Sequence, residues 1–205
     1  MPTLELSPDQ QLDVWPREGL IGILDLEYTA WDGSAQRHWN QPWEWREIVQ
    51  LGLVLVDVER DFMVRDEIEV LVRPQRNPHL SDYFINLTGI TQSRLDEEAV
   101  SFDKALAQLS AFGEATRLIM FNGCDGQILR ENCAFHAATP PWPVECMFDF
   151  RPLLSRTLVR PQSELVSSEL PSLAGVNVAG RCHSALHDCR AIAAAFARWR
   201  STGCL

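Results

Sequence analysis

The chain has 205 residues, enough for one good core, and a single domain is the natural expectation. Its 46% hydrophobic and 22% charged content suits a globular protein, and no apolar run approaches membrane-spanning length. A net charge of −10 argues against a protein that grips nucleic acid by general electrostatics, which needs clustered Lys and Arg. It leaves room for an enzyme that meets phosphates through bound metal ions, whose own charge reverses the local sign.

The opening segment, residues 1–18, carries Pro2, Pro8 and Pro16 without a clear period and reads as an irregular lead-in to one domain over residues 19–205. It lacks the basic and apolar regions of a secretory signal. The six cysteines are scattered, with no C-x-x-C pair. That pattern favours a reduced, cytoplasmic protein over a disulfide framework, and it offers no compact zinc-ligand spacing.

Leu20 to Thr29 is an apolar run with Gly22 inside it, and reads as a strand buried on both faces. Asp25 and Glu27 stand at its C-terminal end. Side chains alternate across a strand, so both acids point to the same side of the sheet. Two carboxylates that close repel each other unless a cation lies between them. A frayed strand end with two solvated acids is the plain alternative.

Trp31, Trp39, Trp43 and Trp45 crowd the next segment. They could be stacking platforms for bases. A long loop folding over the sheet onto its own aromatics is the favoured reading, because only Arg37 and Arg46 accompany the rings. Glu47 to Val56 is a second strand and Met63 to Val72 a third, joined by a short turn that implies antiparallel pairing. Short helical pieces are expected around Asp82–Phe84 and Gln92–Leu95. Behind the N-cap Ser101, residues Phe102, Ala105, Leu106, Leu109 and Phe112 recur at helical spacing, ending at Gly113.

Leu118 to Phe121 is a short buried strand stopped by Asn122-Gly123. Asp125 opens a helix whose inward face holds Ile128, Leu129, Asn132 and Cys133. Met147 to Phe150 reads as an edge strand, Arg151 to Thr157 as a helix, residues 160–168 as loop, and Leu170 to Leu173 as a short helix. A last helix from about His187 to Arg200 aligns Asp188, Ile192, Ala195, Phe196 and Trp199 on one stripe. His183 lies in the loop leading into it. The order of elements implies an α/β chain with a mixed sheet flanked by helices, a ribonuclease-H-like layout whose sites gather at strand ends.

Asp25, Glu27, Asp125 and Asp188 each sit at the edge of an apolar element and face inward by phase. Carboxylate-only ligand sets suit hard cations such as Mg²⁺ or Mn²⁺. Two such ions, about 3.5–4 Å apart, can hold the attacking and leaving oxygens of a phosphodiester. His183 is placed to take a proton from the attacking water, imidazole being the side chain that titrates near neutrality. Taken singly, each acid reads as a helix cap and the histidine as a surface residue; the set of five reads as a site.

The set Asp25-x-Glu27, Asn122-Gly123-Cys124-Asp125 and His183-x-x-x-x-Asp188 resembles the three motifs of the DEDDh (DnaQ-like) 3′–5′ exonucleases. Within that group, Leu80-Ser81-Asp82-Tyr83-Phe84-Ile85-Asn86-Leu87-Thr88-Gly89-Ile90-Thr91 and Arg181-Cys182-His183-Ser184-Ala185-Leu186-His187-Asp188 are similar to the histone-mRNA and RNA-interference 3′ exoribonuclease branch. The resemblance runs over roughly residues 19–200. It implies hydrolysis of RNA or DNA from a free 3′ end to nucleoside 5′-monophosphates. It further implies that Asp25 bridges two metals, Glu27 and Asp188 complete one, and Asp125 supports the other through water. His183 would then be the general base, Thr29 would hold the terminal sugar, and Leu87 and Thr88 would lie near the terminal nucleotide.

Overall fold

Residues 20–28 and 48–57 have no polar face to offer water, so they pair with each other at the centre of a sheet. The computed structural model describes residues 10–11, 13–116 and 118–205. In chain order its strands are β1 (Gln10–Gln11), β2 (Leu20–Tyr28), β3 (Ile48–Asp57), β4 (Met63–Leu71), β5 (Ile119–Phe121) and β6 (Met147–Asp149). They form one six-stranded sheet in the order β1-β6-β5-β2-β3-β4. The β2–β3 and β3–β4 pairs are antiparallel, while β5 runs parallel to both β2 and β6. Adjacent parallel strands end at the same edge of a sheet, so the segments following β2 and β5 emerge side by side.

The helices are α1 (Asp82–Thr88), α2 (Gln92–Glu98), α3 (Phe102–Phe112), α4 (Asp125–Phe135), α5 (Arg151–Leu158), α6 (Leu170–Ala174) and α7 (Ala185–Ser201). Two cores lie on opposite faces of the sheet. Leu24 and Leu26 of β2 pack with the apolar stripes of α3 and α4. Ile21 and Ile23 face the other way, onto Cys189, Ile192, Ala195 and Phe196 of α7. Asp25 and Glu27 continue the second set by alternation, so their face is the one α7 covers. A third cluster, with Phe84, Ile90 and Leu95, seats α1 and α2 against Val49 and Leu71.

The side-chain stripes place α7 correctly, but it begins two residues earlier than the sequence implies. Residues 10–11 of the lead-in are not irregular: they pair in parallel with β6, which is therefore not the edge. Residues 1–9 lie outside the described part. The opposite edge is β4, whose exposed strand carries Arg65, Glu67 and Glu69 facing solvent or salt-bridged, a pattern that blunts edge-to-edge association. Among the described residues no helix is long and apolar enough to cross a membrane.

Candidate active site

Gly52 determines where α7 starts. It pairs with Asp25 across the β2–β3 ladder. A Cβ there would lie 2.5 Å from the Ala185 carbonyl carbon and 2.6 Å from the Leu186 nitrogen, so only glycine lets the helix backbone rest on the strand. Buried Gln50, on the same strand, accepts a hydrogen bond from the Ala185 N–H at 2.8 Å. Its amide donates to Glu69. These contacts bring the first turn of α7, with Asp188, over the end of β2.

Asp125 arrives from the other parallel strand. After β5 the chain turns through Asn122 and Gly123, the latter at φ +91. The Gly123 N–H donates to Asp149 Oδ1 at 2.8 Å, and Arg151 donates from Nε to Asn122 Oδ1 at 2.6 Å. A side chain at Gly123 would strike the Arg151 guanidinium. The turn delivers Asp125 into the first turn of α4. Asn132, a turn or two further on, ties that helix to β3 by accepting from the Ile48 N–H at 3.0 Å.

Asp25, Glu27, Asp125 and Asp188 are all buried, and all four line one cavity of about 280 Å³ at the strand ends. Burial pushes the Asp25 carboxyl well above the usual carboxylate range, and the charges of Asp125, Glu27 and Asp188 push it further. Glu27 is raised by burial and then by Asp188 and Asp125. Asp188 is raised by burial, against the pull of the His187 ring, whose Nδ1 lies 3.1 Å from Asp188 Oδ1. Ser167 donates to Asp25 Oδ1 at 3.5 Å and draws it partly back. Among the described residues no Lys or Arg forms an ion pair with Asp25 or Glu27. Four mutually repelling buried acids form a donor set that a hard divalent cation would stabilise, so the residues present fit a metal centre.

His183 stands at the mouth of the cavity, exposed and with φ at 60, a left-handed conformation few histidines adopt. Its N–H donates to Asp188 Oδ2 at 3.2 Å, which fixes the strained residue. One ligand atom each of His183, Glu27 and Asp188 lies within 4.8 Å of the others. All five sequence-derived residues thus meet in one place.

The expected substrate contacts divide. Leu87 lines the cavity, whereas Thr29 and Thr88 do not. The Thr29 hydroxyl donates to the Trp45 carbonyl and accepts from the Glu47 N–H at 3.0 Å. The Thr88 hydroxyl donates to the Phe84 carbonyl at 2.9 Å and accepts from the Ile90 N–H at 3.1 Å. Each hydroxyl is thus held by two backbone groups and keeps one acceptor lone pair. The Trp-rich loop also divides: Trp39 packs on Tyr28 and lines the cavity, but Trp43 and Trp45 are exposed. Sequence reasoning missed Ser167, Asn122, Arg151 and His187. Gly52 was the available signal for its part, since a glycine inside an apolar strand marks a close backbone approach.

A mixed sheet with three acids and a histidine clustered round a fourth acid at its parallel strand ends defines the DEDDh class of exonuclease, with a ribonuclease-H-like fold. The chain belongs to the RNase T exonuclease family, whose model matches residues 23–196. It is similar to 3'-5' exoribonuclease 1 of Rattus norvegicus, 27% identical over 193 residues, covering 90% of this chain and 54% of the relative. This chain therefore spans about half the length of the curated relatives it matches at that coverage. Among solved structures it resembles the nuclease domain of 3'hExo, a DEDDh family member bound to rAMP. There the TM-score is 0.74 and the identity 25%, over 91% of this chain and 94% of that one. A 3'-exonuclease structure concerned with 3'-end recognition of histone mRNA stem-loop shares the fold with a TM-score of 0.78. Its identity is 24%, over 98% of this chain and 68% of that one.

Proposed function

We propose that the chain hydrolyses single-stranded nucleic acid, RNA in preference, stepwise from a free 3′ end to nucleoside 5′-monophosphates. One observation carries the reading: Asp25, Glu27, Asp125 and Asp188 meet buried in a single cavity with His183 at its mouth. Two divalent cations, Mg²⁺ or Mn²⁺, would supply there the positive charge that activates a water and takes up charge on the leaving oxygen. Asp25, which feels all three other acids, would serve both ions. Glu27 and Asp188 would complete the hold on one ion, and Asp125 would support the other through water.

The His183 ring accepts the proton of the attacking water and, being exposed, passes it to solvent. Tyr28, Trp39, Tyr83 and Leu87 give the cavity an apolar wall against which a terminal base and sugar can lie. RNA is favoured because the rat relative is named an exoribonuclease and the 3'hExo domain holds rAMP. The unbridged cysteines fit a reducing compartment such as the cytoplasm.

Matched RNA and DNA oligonucleotides, 5′-labelled and ending in either a free 3′-hydroxyl or a 3′-phosphate, test this reading. Single-nucleotide shortening of the free-ended RNA is expected, with DNA slower and the 3′-phosphate resistant. Equal turnover of blocked and free ends would refute attack at the 3′ terminus, and faster DNA turnover would reverse the substrate preference.

A further inference from the structure

We propose that a second cavity, built around Trp45, Arg76 and Phe135, binds the single-stranded segment upstream of the 3′ terminus. The base would stack on Trp45 and a phosphate would meet Arg76. This rests on the nuclease reading of the neighbouring site. The cavity holds about 320 Å³ and is lined by Trp45, Arg46, Arg76, Glu131, Asn132 and Phe135 among others.

The Arg76 guanidinium lies 3.5 Å from the Trp45 ring centroid and 4.1 Å from that of Phe135. Its plane is fixed by two rings, and among the described residues no carboxylate forms an ion pair with it. A guanidinium held by its faces keeps its edge of N–H donors for an anion, and the fork matches a phosphate. The two acids of the lining are already engaged. Glu47 accepts from the backbone N–H groups of Gln75, Arg76 and Asn77, at 2.7–3.0 Å. Glu131 is held by Arg46 at 2.6 and 2.7 Å.

Trp45 is 49% exposed, so a ring already braced by Arg76 still offers surface to a base. Half-exposed tryptophan is costly to leave to water and is the preferred platform for unpaired bases. On a chain of net charge −10, a lining in which two arginines balance two acids, with Arg76 outside any ion pair among the described residues, is less acidic than the chain as a whole. It also adjoins the active site. Arg46 lines the second cavity and sits 5.9 Å from the ring of Trp39, which lines the first. A strand leaving the carboxylate cavity past Trp39 would pass Arg46 and reach Trp45 and Arg76.

The test compares Arg76→Gln and Trp45→Ala with the wild-type chain on two readouts. The first is anisotropy of a labelled hexanucleotide with a blocked 3′ end, in EDTA. The second is turnover of a dinucleotide, which fills the catalytic cavity alone. Hexanucleotide affinity should fall roughly tenfold in each variant, the scale of one lost stack or charge-assisted contact, with dinucleotide turnover unchanged. Unchanged hexanucleotide affinity in both variants overturns the proposal, as does failure of the wild-type chain to bind the hexanucleotide. If the wild-type chain binds the hexanucleotide and the variants lose it while no substrate is cleaved, the nuclease reading falls and the platform stands. Trp45→Ala removes a half-exposed side chain, so it serves if Arg76→Gln melts early.

Discussion

Asp25 is the residue on which most depends, since its carboxyl is pushed upward by burial and by three other acids. Asp25→Asn keeps the shape and removes one charge, so it should abolish most nuclease activity while leaving the metal-free fold at least as stable as wild type. A melting curve and a 3′-end assay on the same preparation check both halves. The pH dependence follows from the same repulsion. The folded-state values of Asp25 and Glu27 are raised, so folding is favoured where both are protonated, near and below the ordinary carboxyl range. That stability is lost as pH rises through the elevated folded values. The metal-free wild type should therefore lose stability relative to Asp25→Asn as pH climbs, and the gap should shrink when divalent metal is added. A gap independent of both pH and metal would contradict the account. His183→Ala should slow turnover by about 10²–10⁴, the usual worth of a general base, with metal affinity largely kept. His187 touches Asp188 rather than substrate, so His187→Ala should cost roughly 10–100-fold in metal affinity.

Among the elements, the β3–α7 contact decides whether the acids meet. Gly52→Ala forces the start of α7 off the strand, because the clashing atoms are backbone and cannot rotate away. A cost of about 1–3 kcal/mol in urea unfolding is expected, with activity falling further than stability because Asp188 and His183 move with the helix. The β2 and β3 strands and the α3, α4 and α7 stripes were legible because burial imposes a period on long segments. The two-residue β1 was not, since two glutamines carry no period. The polar stretch 160–168, expected as loop, instead carries two short 3-10 turns, Gln162–Glu164 and Ser167–Glu169, and pattern alone does not say that the second brings Ser167 to Asp25. Thr29 and Thr88 make a related point: a strand-end or helix-end threonine also bonds to backbone, and sequence spacing does not show which neighbours its hydroxyl meets.

Across the whole molecule, the four acids come from β2, α4 and α7, so the site exists only when both faces of the sheet are packed. A ligand that binds only this assembled set stabilises the fold by mass action. At a concentration about a hundredfold above its dissociation constant, Mg²⁺ or Mn²⁺ should raise the melting temperature by on the order of 5–10 °C. The most direct test of the central claim is the stoichiometry of Mn²⁺ binding, counted by titration calorimetry on the full chain and on Asp25→Asn. Two ions per wild-type chain are expected, with at least one lost in the variant. Wild-type binding no greater than that of the variant would mean that these carboxylates do not cage a metal pair.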